Sequence, residues 1–185
     1  MPPDSDHDND RELLQRLRSG DEAAAEILVE RLSPLVSRLV FRLTGWNSDN
    51  QDLVQDVFLN IQANSHSYRG DSKLESWVTT IVVNRCRNWH RSRARQPIVC
   101  SMGITELVDD VTVPQCETDE SVREALRQLN SSDRELVVLR YLEEKSLDEI
   151  SQTTGIRKNT IEVKLHRARQ RMMTAILAGE KEPQS

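Results

Sequence analysis

Apolar residues in this chain recur every three to four positions, which is the spacing of one face of an α-helix. The pattern is clear from Ile27 to Leu43, where leucines and valines lie on a single stripe. It returns at Leu53–Ile61, at Leu74–Trp89 and at Ile161–Met172. No segment alternates apolar and polar residues as a half-buried strand does. The sequence therefore predicts an all-α fold.

One segment without helical periodicity divides the chain. Residues 96–120 contain Pro97 and Pro114, six acidic residues and no basic residue. Proline disrupts helices and like charges repel, so this segment is predicted to be a flexible acidic linker. A chain of 185 residues is long enough for two small domains. We predict helical domains at 11–95 and 121–178, with a disordered acidic tail over 1–10 and a short tail over 179–185.

The composition excludes several classes of protein. No apolar run is long enough to span a membrane, and the acidic start "MPPDSDHDND" is unlike the basic start of a signal peptide, so a cytoplasmic protein is expected. The cysteines Cys86, Cys100 and Cys116 are odd in number and lack CxxC spacing, which argues against a disulfide framework and a zinc site. No catalytic constellation, metal site or cofactor motif is identified, and an enzyme is not expected.

Positive charge is concentrated in two segments although the formal net charge is −5. Residues 81–96 hold five arginines and no acidic residue, and residues 157–171 are basic except for Glu162. Two cationic helical patches joined by an acidic connector indicate two contacts with a polyanion, and nucleic acid is the expected one.

The first cationic segment combines arginine with an aromatic residue. Asn84, Arg87 and Arg91 share a polar stripe of one helix, and Trp89 lies close to it. This combination suits single-stranded nucleic acid, where bases stack and phosphates pair with arginine. A core position for Trp89 remains an alternative.

The second cationic segment follows a helix and a tight turn centred on Gly155, which is the pattern of a helix-turn-helix. Ser132-x-x-Glu135 and Ser146-x-x-Glu149 have the spacing of capping boxes at the start of the preceding helices. Residues placed to reach base edges are Arg157, Lys158, Asn159 and Thr160, and residues placed to reach phosphates are Lys164, Arg167, Arg169 and Arg171. Glu162 is interpreted as part of an Asn159-x-x-Glu162 cap, with acceptance from a cytosine amino group as the alternative. A small helical bundle with a solvated basic face is the competing interpretation of this half.

Longer motifs resemble a known family. "DLVQDVFLNI" (52–61) and "YRGDSKLESWVTTIVVNRCRNWHR" (68–91) resemble region 2 of the sigma factors of bacterial RNA polymerase. "LDEISQTTGIRKNTIEVKLHRARQRM" (147–172) resembles region 4. The extracytoplasmic-function group of the sigma-70 family matches best. The resemblance implies a promoter-specificity subunit that binds the largest and second-largest subunits of core polymerase and promoter DNA, and that an anti-sigma factor regulates.

The resemblance also implies roles for individual residues. The residues that would grip the clamp helices of the largest subunit are Asp52, Gln55, Asp56 and Leu59. The loop that would capture a flipped base of the −10 element is Tyr68, Arg69, Gly70 and Asp71. Asn84 would read bases beside it, and the backbone would be held by Arg85, Arg87, Arg91 and Arg93. The recognition helix for the −35 element would use Thr160, Lys164, Arg167 and Arg169.

Two other classes remain open at this point. A stand-alone helix-turn-helix regulator would share only the C-terminal half of these features. An enzyme acting on nucleic acid would need a metal or base constellation that the sequence does not display.

Overall fold

The computed structural model describes residues 5–47, 49–95 and 120–179, and within these residues it contains helices and no strand. Four helices lie before the linker and four after it. The first four are α1 (Ser5–Arg18), α2 (Glu22–Thr44), α3 (Asn50–Asn64) and α4 (Leu74–Arg95), with a 3-10 turn over Ser65–Ser67. The last four are α5 (Glu120–Arg127), α6 (Ser131–Val137) continued by a π-helical turn over Val138–Leu142, α7 (Leu147–Thr154) and α8 (Lys158–Gly179). The all-α prediction is confirmed.

The N-terminal unit is built around α2. Asp21 caps this helix by accepting a hydrogen bond from the Ala24 amide at 3.2 Å, and Gly45 ends it in the left-handed conformation at φ +81°. The stripe predicted from Ile27 to Leu43 packs against α3 and α4 from Leu28 onward, whereas Ile27 itself is exposed. Fully buried side chains of this core include Leu32, Val36, Leu39, Val40, Val57, Ile61, Leu74, Val78 and Val82.

The predicted tail over residues 1–10 is corrected from Ser5 onward, because α1 begins there. Asp10 is buried and pairs with Arg31 of α2 at 2.5 Å. Its neutralisation by Arg31 lets an acidic residue continue the helix that Leu14 and Leu17 anchor to the core. The acidic composition of residues 1–10 therefore predicted a tail that ends at residue 10, whereas α1 already begins at Ser5.

The C-terminal unit packs α5 and α6 against α8, with α7 beside α8. The capping box predicted at Ser146 is confirmed: its hydroxyl accepts from the Glu149 amide, and the Glu149 carboxylate accepts from the Ser146 amide. The bonds that the Ser146 amide and hydroxyl donate to the Glu149 carboxylate lower the pKa of Glu149. Gly155 ends α7 at φ +71°, as the tight turn requires.

Two other predicted caps in this unit are wrong. The cap of α6 is Asn130, whose side chain accepts from the Asp133 amide at 2.9 Å, and Ser132 lies inside the helix. Helix α8 begins at Lys158, so Asn159 is also inside the helix and does not cap it with Glu162. In both cases the helix starts two residues earlier than the predicted cap implies.

The two units contact each other through α2 and α4 on one side and α6, the π-helical turn and α7 on the other. Most of the predicted linker, including Cys100 and Cys116, lies outside the described residues, as do residues 180–185. No described helix is both long enough and apolar enough to cross a bilayer.

Candidate nucleic-acid and polymerase interfaces

Helix α4 presents the polar stripe predicted from the sequence. Asn84 and Arg91 are exposed, while Val82 and Cys86 on the opposite face are buried. Burial raises the pKa of the Cys86 thiol to about 12, so this cysteine stays protonated and is a core residue. On the outward face, Asn84 and Arg91 are accessible to a ligand from solvent.

Arg87 belongs to the same stripe and is covered by the C-terminal unit. Its Nε and Nη2 donate to the two carboxylate oxygens of Glu135 at 2.8 and 2.6 Å. Its Nη1 donates to the Thr154 carbonyl at 3.2 Å. All three bonds link α4 to the C-terminal unit, so Arg87 is not open to DNA in this arrangement.

Two other arginines of α4, Arg85 and Arg93, have acidic partners within the N-terminal unit. Arg85 pairs with Asp56 of α3, so a predicted DNA contact and a predicted polymerase contact neutralise each other. Arg93 pairs with Asp49 at 2.5 Å and its guanidinium lies 5.0 Å from the centroid of the Trp89 ring. Trp89 is half-buried, with this cation over it.

The loop before α4 is anchored at both ends. Tyr68 is only 6% exposed, and its hydroxyl donates to the Ser72 carbonyl at 2.8 Å. Burial raises the pKa of Tyr68. The Arg69 carbonyl accepts from Arg11 Nε at 2.8 Å, while the side chains of Arg69 and Asp71 are exposed. Tyr68 thus holds the loop, and the residues after it face solvent.

Gly70 of this loop has a structural requirement for glycine. Its φ is +77°, a region that side-chain-bearing residues rarely adopt. A Cβ there would also overlap the Arg11 guanidinium. The loop shape therefore depends on Gly70.

Helix α3 displays a mixed polar and apolar face. Asp52, Gln55 and Leu59 are exposed, with Leu59 at 62%. Leu53, Val57 and Ile61 on the opposite face are buried. Exposure alone would not indicate a contact, because single exposed leucines are common. Leu59 is a candidate contact for another protein because it lies beside carboxylates in a predicted docking motif.

Helix α8 buries Ile161, Leu165 and Ala168, as predicted, and exposes its opposite face. Among the predicted DNA contacts, Arg157, Asn159, Thr160, Arg167 and Arg169 are exposed. Two lysines have partners inside the unit. Lys158 pairs with Asp148 of α7, and the Lys164 ammonium donates to the Ser132 hydroxyl at 2.8 Å.

One position of the outward face of α8, Gln170, was not singled out from the sequence. Val163, His166 and Gln170 follow Asn159 at helical spacing and are exposed. Arg171, by contrast, pairs with Asp133 at 2.8 Å on the flank of the helix. Counting positions opposite the apolar stripe, rather than counting basic residues, would have found this face.

An apolar groove of about 290 Å³ lies on the C-terminal unit between α5, α6 and α8. Tyr141 and Met173 at its edge are exposed at 51% and 53%. The remaining apolar lining residues are Val122, Leu126, Val137, Leu142, Met172 and Ile176. This groove was not predicted, because its residues come from three helices and share no sequence motif.

The described part of the chain groups no set of three or more His, Cys, Asp or Glu side chains in a way that fits a metal ion. His90, one turn from Cys86, hydrogen-bonds through Nε2 with the Leu43 carbonyl at 3.1 Å. Its burial lowers the pKa of His90, so the neutral ring is favoured. These two residues are part of the packing between helices.

Comparison with known proteins agrees with this arrangement of two units. Residues 28–96 match the family model for sigma-70 region 2, and residues 119–172 match the model for sigma-70 region 4. The ECF RNA polymerase sigma-E factor of Haemophilus influenzae is 26% identical over 174 residues, covering 87% of this chain and 92% of the relative. The ECF sigma factor SigM of Mycobacterium tuberculosis is 28% identical over 164 residues, covering 89% and 83%.

Solved structures share the fold. The structure of CnrH in complex with the cytosolic domain of CnrY aligns with a TM-score of 0.63 and 21% identity, covering 94% of this chain and 99% of that one. The sigma factor RpoE of Bartonella quintana, solved with the anti-sigma factor NepR, aligns with a TM-score of 0.67 and 23% identity, covering 82% and 95%. With both family regions present in order, the chain belongs to the sigma-70 family of RNA polymerase sigma factors, in its extracytoplasmic-function group.

Proposed function

We propose that this chain is a promoter-specificity subunit that binds core RNA polymerase, contacts and melts the −10 element through its N-terminal unit, and binds the −35 element through α8. The observation that carries the proposal is the presence of two separate exposed surfaces. One is the α4 stripe of Asn84 and Arg91, and the other is the outward face of α8 around Arg167. A stand-alone regulator needs only the second surface, so it does not account for the first.

At the −10 element, exposed side chains have distinct roles in this proposal. Asn84 offers an amide that hydrogen-bonds base edges, and Arg91 offers a cation for the backbone. Arg69 and Asp71 line the exposed part of the loop where a flipped base would lie, with Tyr68 and Gly70 fixing the loop from beneath. Arg85, Arg87 and Arg93 now pair with carboxylates and would exchange these for phosphates.

Strand separation needs no nucleotide hydrolysis in this scheme. Opening duplex DNA loses stacking of about 1.4 kcal/mol per step. A base captured by a protein returns ~1–3 kcal/mol. A few captured bases therefore offset the first steps of melting, and the polymerase supplies the chemistry of RNA synthesis.

At the −35 element, α8 would lie in the major groove. Arg157, Asn159 and Thr160 are exposed at the N-terminal end of the helix, where a recognition helix contacts bases. Arg167 and Arg169 are exposed further along and would contact phosphates. Lys158 and Lys164 would first leave their partners, Asp148 and Ser132.

The polymerase would be held at two places. The α3 face of Asp52, Gln55 and Leu59, with Asp56 once released from Arg85, suits the clamp helices of the largest subunit. The apolar groove beside Tyr141 and Met173 suits an apolar helix of the second-largest subunit.

A sigma factor of Bartonella quintana is solved with an anti-sigma factor, and we propose that a regulator of this kind also binds this chain. The chain would act in the cytoplasm, where the polymerase and the chromosome are.

The test is a titration of fluorescently labelled full-length chain with purified core polymerase. We expect a one-to-one complex that Leu59→Glu weakens strongly, because a buried charge would replace an apolar contact. Ile27→Glu is the matched control, since Ile27 is an exposed apolar residue outside the proposed docking face. Absence of a stoichiometric complex would favour the stand-alone regulator.

A further inference from the structure

Helix α1 holds the backbone of the segment that joins α3 to α4. Arg11 donates through Nε to the Arg69 carbonyl at 2.8 Å and through Nη2 to the same oxygen. Arg18, which lies two turns further along the same face of α1, donates to the Ser65 carbonyl. Two arginines of one helix face therefore fix the backbone of this segment at two points.

The position of α1 is itself fixed by a buried carboxylate. Asp10 is 3% exposed and pairs with Arg31 Nη1 of α2 at 2.5 Å. Nη2 of the same arginine donates to Glu75 at 2.7 Å, in the first turn of α4. On the core side of α1, Leu14 and Leu17 are buried. Helix α1 is thus tied to α2 and to the start of α4, where the loop ends.

The contact with α1 engages the loop through its backbone. The side chains of Arg69 and Asp71 are exposed, although the Arg69 carbonyl is held by Arg11. Gly70 lies so close to the Arg11 guanidinium that a Cβ would overlap it. The contact therefore sets the path of the backbone while the side chains of the loop stay accessible to a base.

We propose that Arg11 is a positioning residue for the capture of a flipped base, because α1 holds the loop over residues 68–71 in its receiving shape before DNA arrives. This role rests on the proposed function of that loop. Helix α1 lies before residue 28, where the match to sigma-70 region 2 begins. A loop that is ordered in advance loses less conformational entropy on binding, so its affinity and base selectivity depend on the anchor.

The experiment compares the full-length wild type with Arg11→Ala and Arg11→Lys. Arg16→Ala is the matched control, because Arg16 is an exposed arginine of the same helix whose Nε donates to Asp21 at 2.8 Å. The first measurement is the initial rate at which trypsin cuts the bond after Arg69, followed by mass spectrometry. Because this bond must leave its anchored conformation to enter the protease, the rate reports on the loop locally.

The second measurement is base selectivity. The chain in complex with purified core polymerase is mixed with a pool of 12-nucleotide single DNA strands of random sequence, and the bound strands are sequenced. Selectivity is the affinity of the most enriched strand divided by the affinity of the same strand with one base changed. Thermal unfolding and the affinity for core polymerase are measured for every variant.

Arg11→Ala is expected to raise the cutting rate after Arg69 and to lower base selectivity, each by about fivefold to tenfold, because hydrogen bonds from a charged donor are lost. Arg11→Lys keeps the charge without the fork of two donors, so both quantities should lie between Arg11→Ala and the wild type. Melting temperature and polymerase affinity should stay as in the wild type, since Arg11 is exposed. Arg16→Ala should match the wild type throughout.

Gly70→Ala tests the contact itself. Alanine strains the backbone at φ +77° in any background, whereas the overlap of its Cβ with the guanidinium is absent in Arg11→Ala. The changes in cutting rate and selectivity that Gly70→Ala causes should therefore be smaller in Arg11→Ala than in the wild type. Equal changes in the two backgrounds would contradict the contact.

An unchanged cutting rate in Arg11→Ala would overturn the anchor, and a raised rate with unchanged selectivity would overturn its role in base capture. Full selectivity in Arg11→Lys, with a flatter salt dependence of strand binding in Arg11→Ala, would assign Arg11 to a phosphate contact instead. A polymerase-bound wild type that enriches no sequence would refute the proposed function of the loop and, with it, base positioning by Arg11. The cutting rates would still decide whether α1 anchors the loop.

Discussion

Arg87 of α4 and Glu135 of α6 are 48 positions apart in the chain and form a two-point ion pair with N–O distances of 2.6 and 2.8 Å. The sequence placed Arg87 on a DNA-binding stripe and Glu135 in a helix cap. The structure pairs them across two units instead. In the free chain Arg87 pairs with the Glu135 carboxylate. In our proposal it would pair with a DNA phosphate at the promoter instead.

Asn84→Ala is expected to impair promoter melting more than duplex binding. The exposed amide of Asn84 is proposed to bond a base that is accessible only after strands separate, so its loss should cost about 1 kcal/mol in the open complex. Permanganate reactivity of unpaired thymines measures melting, and gel shift of duplex DNA measures binding. Asn88→Ala, at an exposed asparagine one turn away, serves as control. Equal melting by the wild type and Asn84→Ala would contradict the assignment.

Arg167→Ala is expected to flatten the salt dependence of binding to upstream promoter duplex by about one unit of log–log slope, because one phosphate contact is lost. The side chain of Arg167 is exposed on α8. Arg140→Ala removes an exposed arginine of the same unit that donates to the Lys145 carbonyl at 2.8 Å, and it should leave the slope unchanged. An identical slope for the wild type and Arg167→Ala would remove this residue from the phosphate contacts.

Glu162→Gln is expected to leave thermal stability within about 0.5 kcal/mol of the wild type, because Glu162 is exposed and the helix begins too early for the predicted cap. Its affinity for upstream duplex should rise at low salt, since a carboxylate near phosphates is removed. Scanning calorimetry and a binding titration measure the two effects. A stability loss typical of a missing cap, about 1 kcal/mol, would restore the original interpretation.

Gly45→Ala is expected to destabilise the chain more than Gly155→Ala. Both glycines end a helix at positive φ, so alanine costs about 1–2 kcal/mol at either position. A Cβ at Gly45 would also lie 2.8 Å from Arg134 Nη1, whereas a Cβ at Gly155 meets nothing within 4 Å. Displacing the buried Arg134 guanidinium adds about 1.5 kcal/mol or more. Urea unfolding compares the two variants, and equal losses would mean that Arg134 moves aside freely.

The stability of the chain is expected to depend on pH through His90. Burial lowers the pKa of His90 in the folded state, and the nearby Arg134 lowers it further, while the bond to the Leu43 carbonyl opposes them. The unfolded chain, with an ordinary pKa of about 6.5, then binds more protons than the folded chain just below that pH. Stability should therefore fall as pH drops through 6.5, and the loss should level off below the folded pKa.

His90→Gln tests this directly, because glutamine keeps an amide that can donate to the Leu43 carbonyl and does not titrate. Urea midpoints at pH 7.5 and pH 5.5 should differ less for His90→Gln than for the wild type. His66→Gln, at an exposed histidine, should behave as the wild type does. The same pH dependence in His90→Gln and the wild type would assign the effect to other groups.

Most of the helices could be predicted from local patterns in the sequence. The stripe of Ile161, Leu165 and Ala168 and the capping box of Ser146 and Glu149 depend on residues within one or two turns, and the structure has both. The choice between several possible capping residues that lie a few positions apart is less certain. The sequence offered Asn130 and Ser132 as caps of α6, and the structure uses Asn130.

Contacts between distant parts of the chain could not be read from the sequence. The residues next to Asp10 in the sequence do not indicate that it pairs with Arg31. Likewise, the residues next to Glu143 do not indicate that it pairs with Arg38 and Arg42. These pairs depend on how helices from different segments are placed in space. The same holds for the apolar groove beside Tyr141.

The most direct test of the whole account is reconstituted transcription with purified core polymerase, the full-length chain and genomic DNA, followed by sequencing of the RNA start sites. The account predicts initiation at a defined set of sites that share two upstream sequence elements at constant spacing, and no such set with core polymerase alone. The same start sites and frequencies with and without the chain would contradict it.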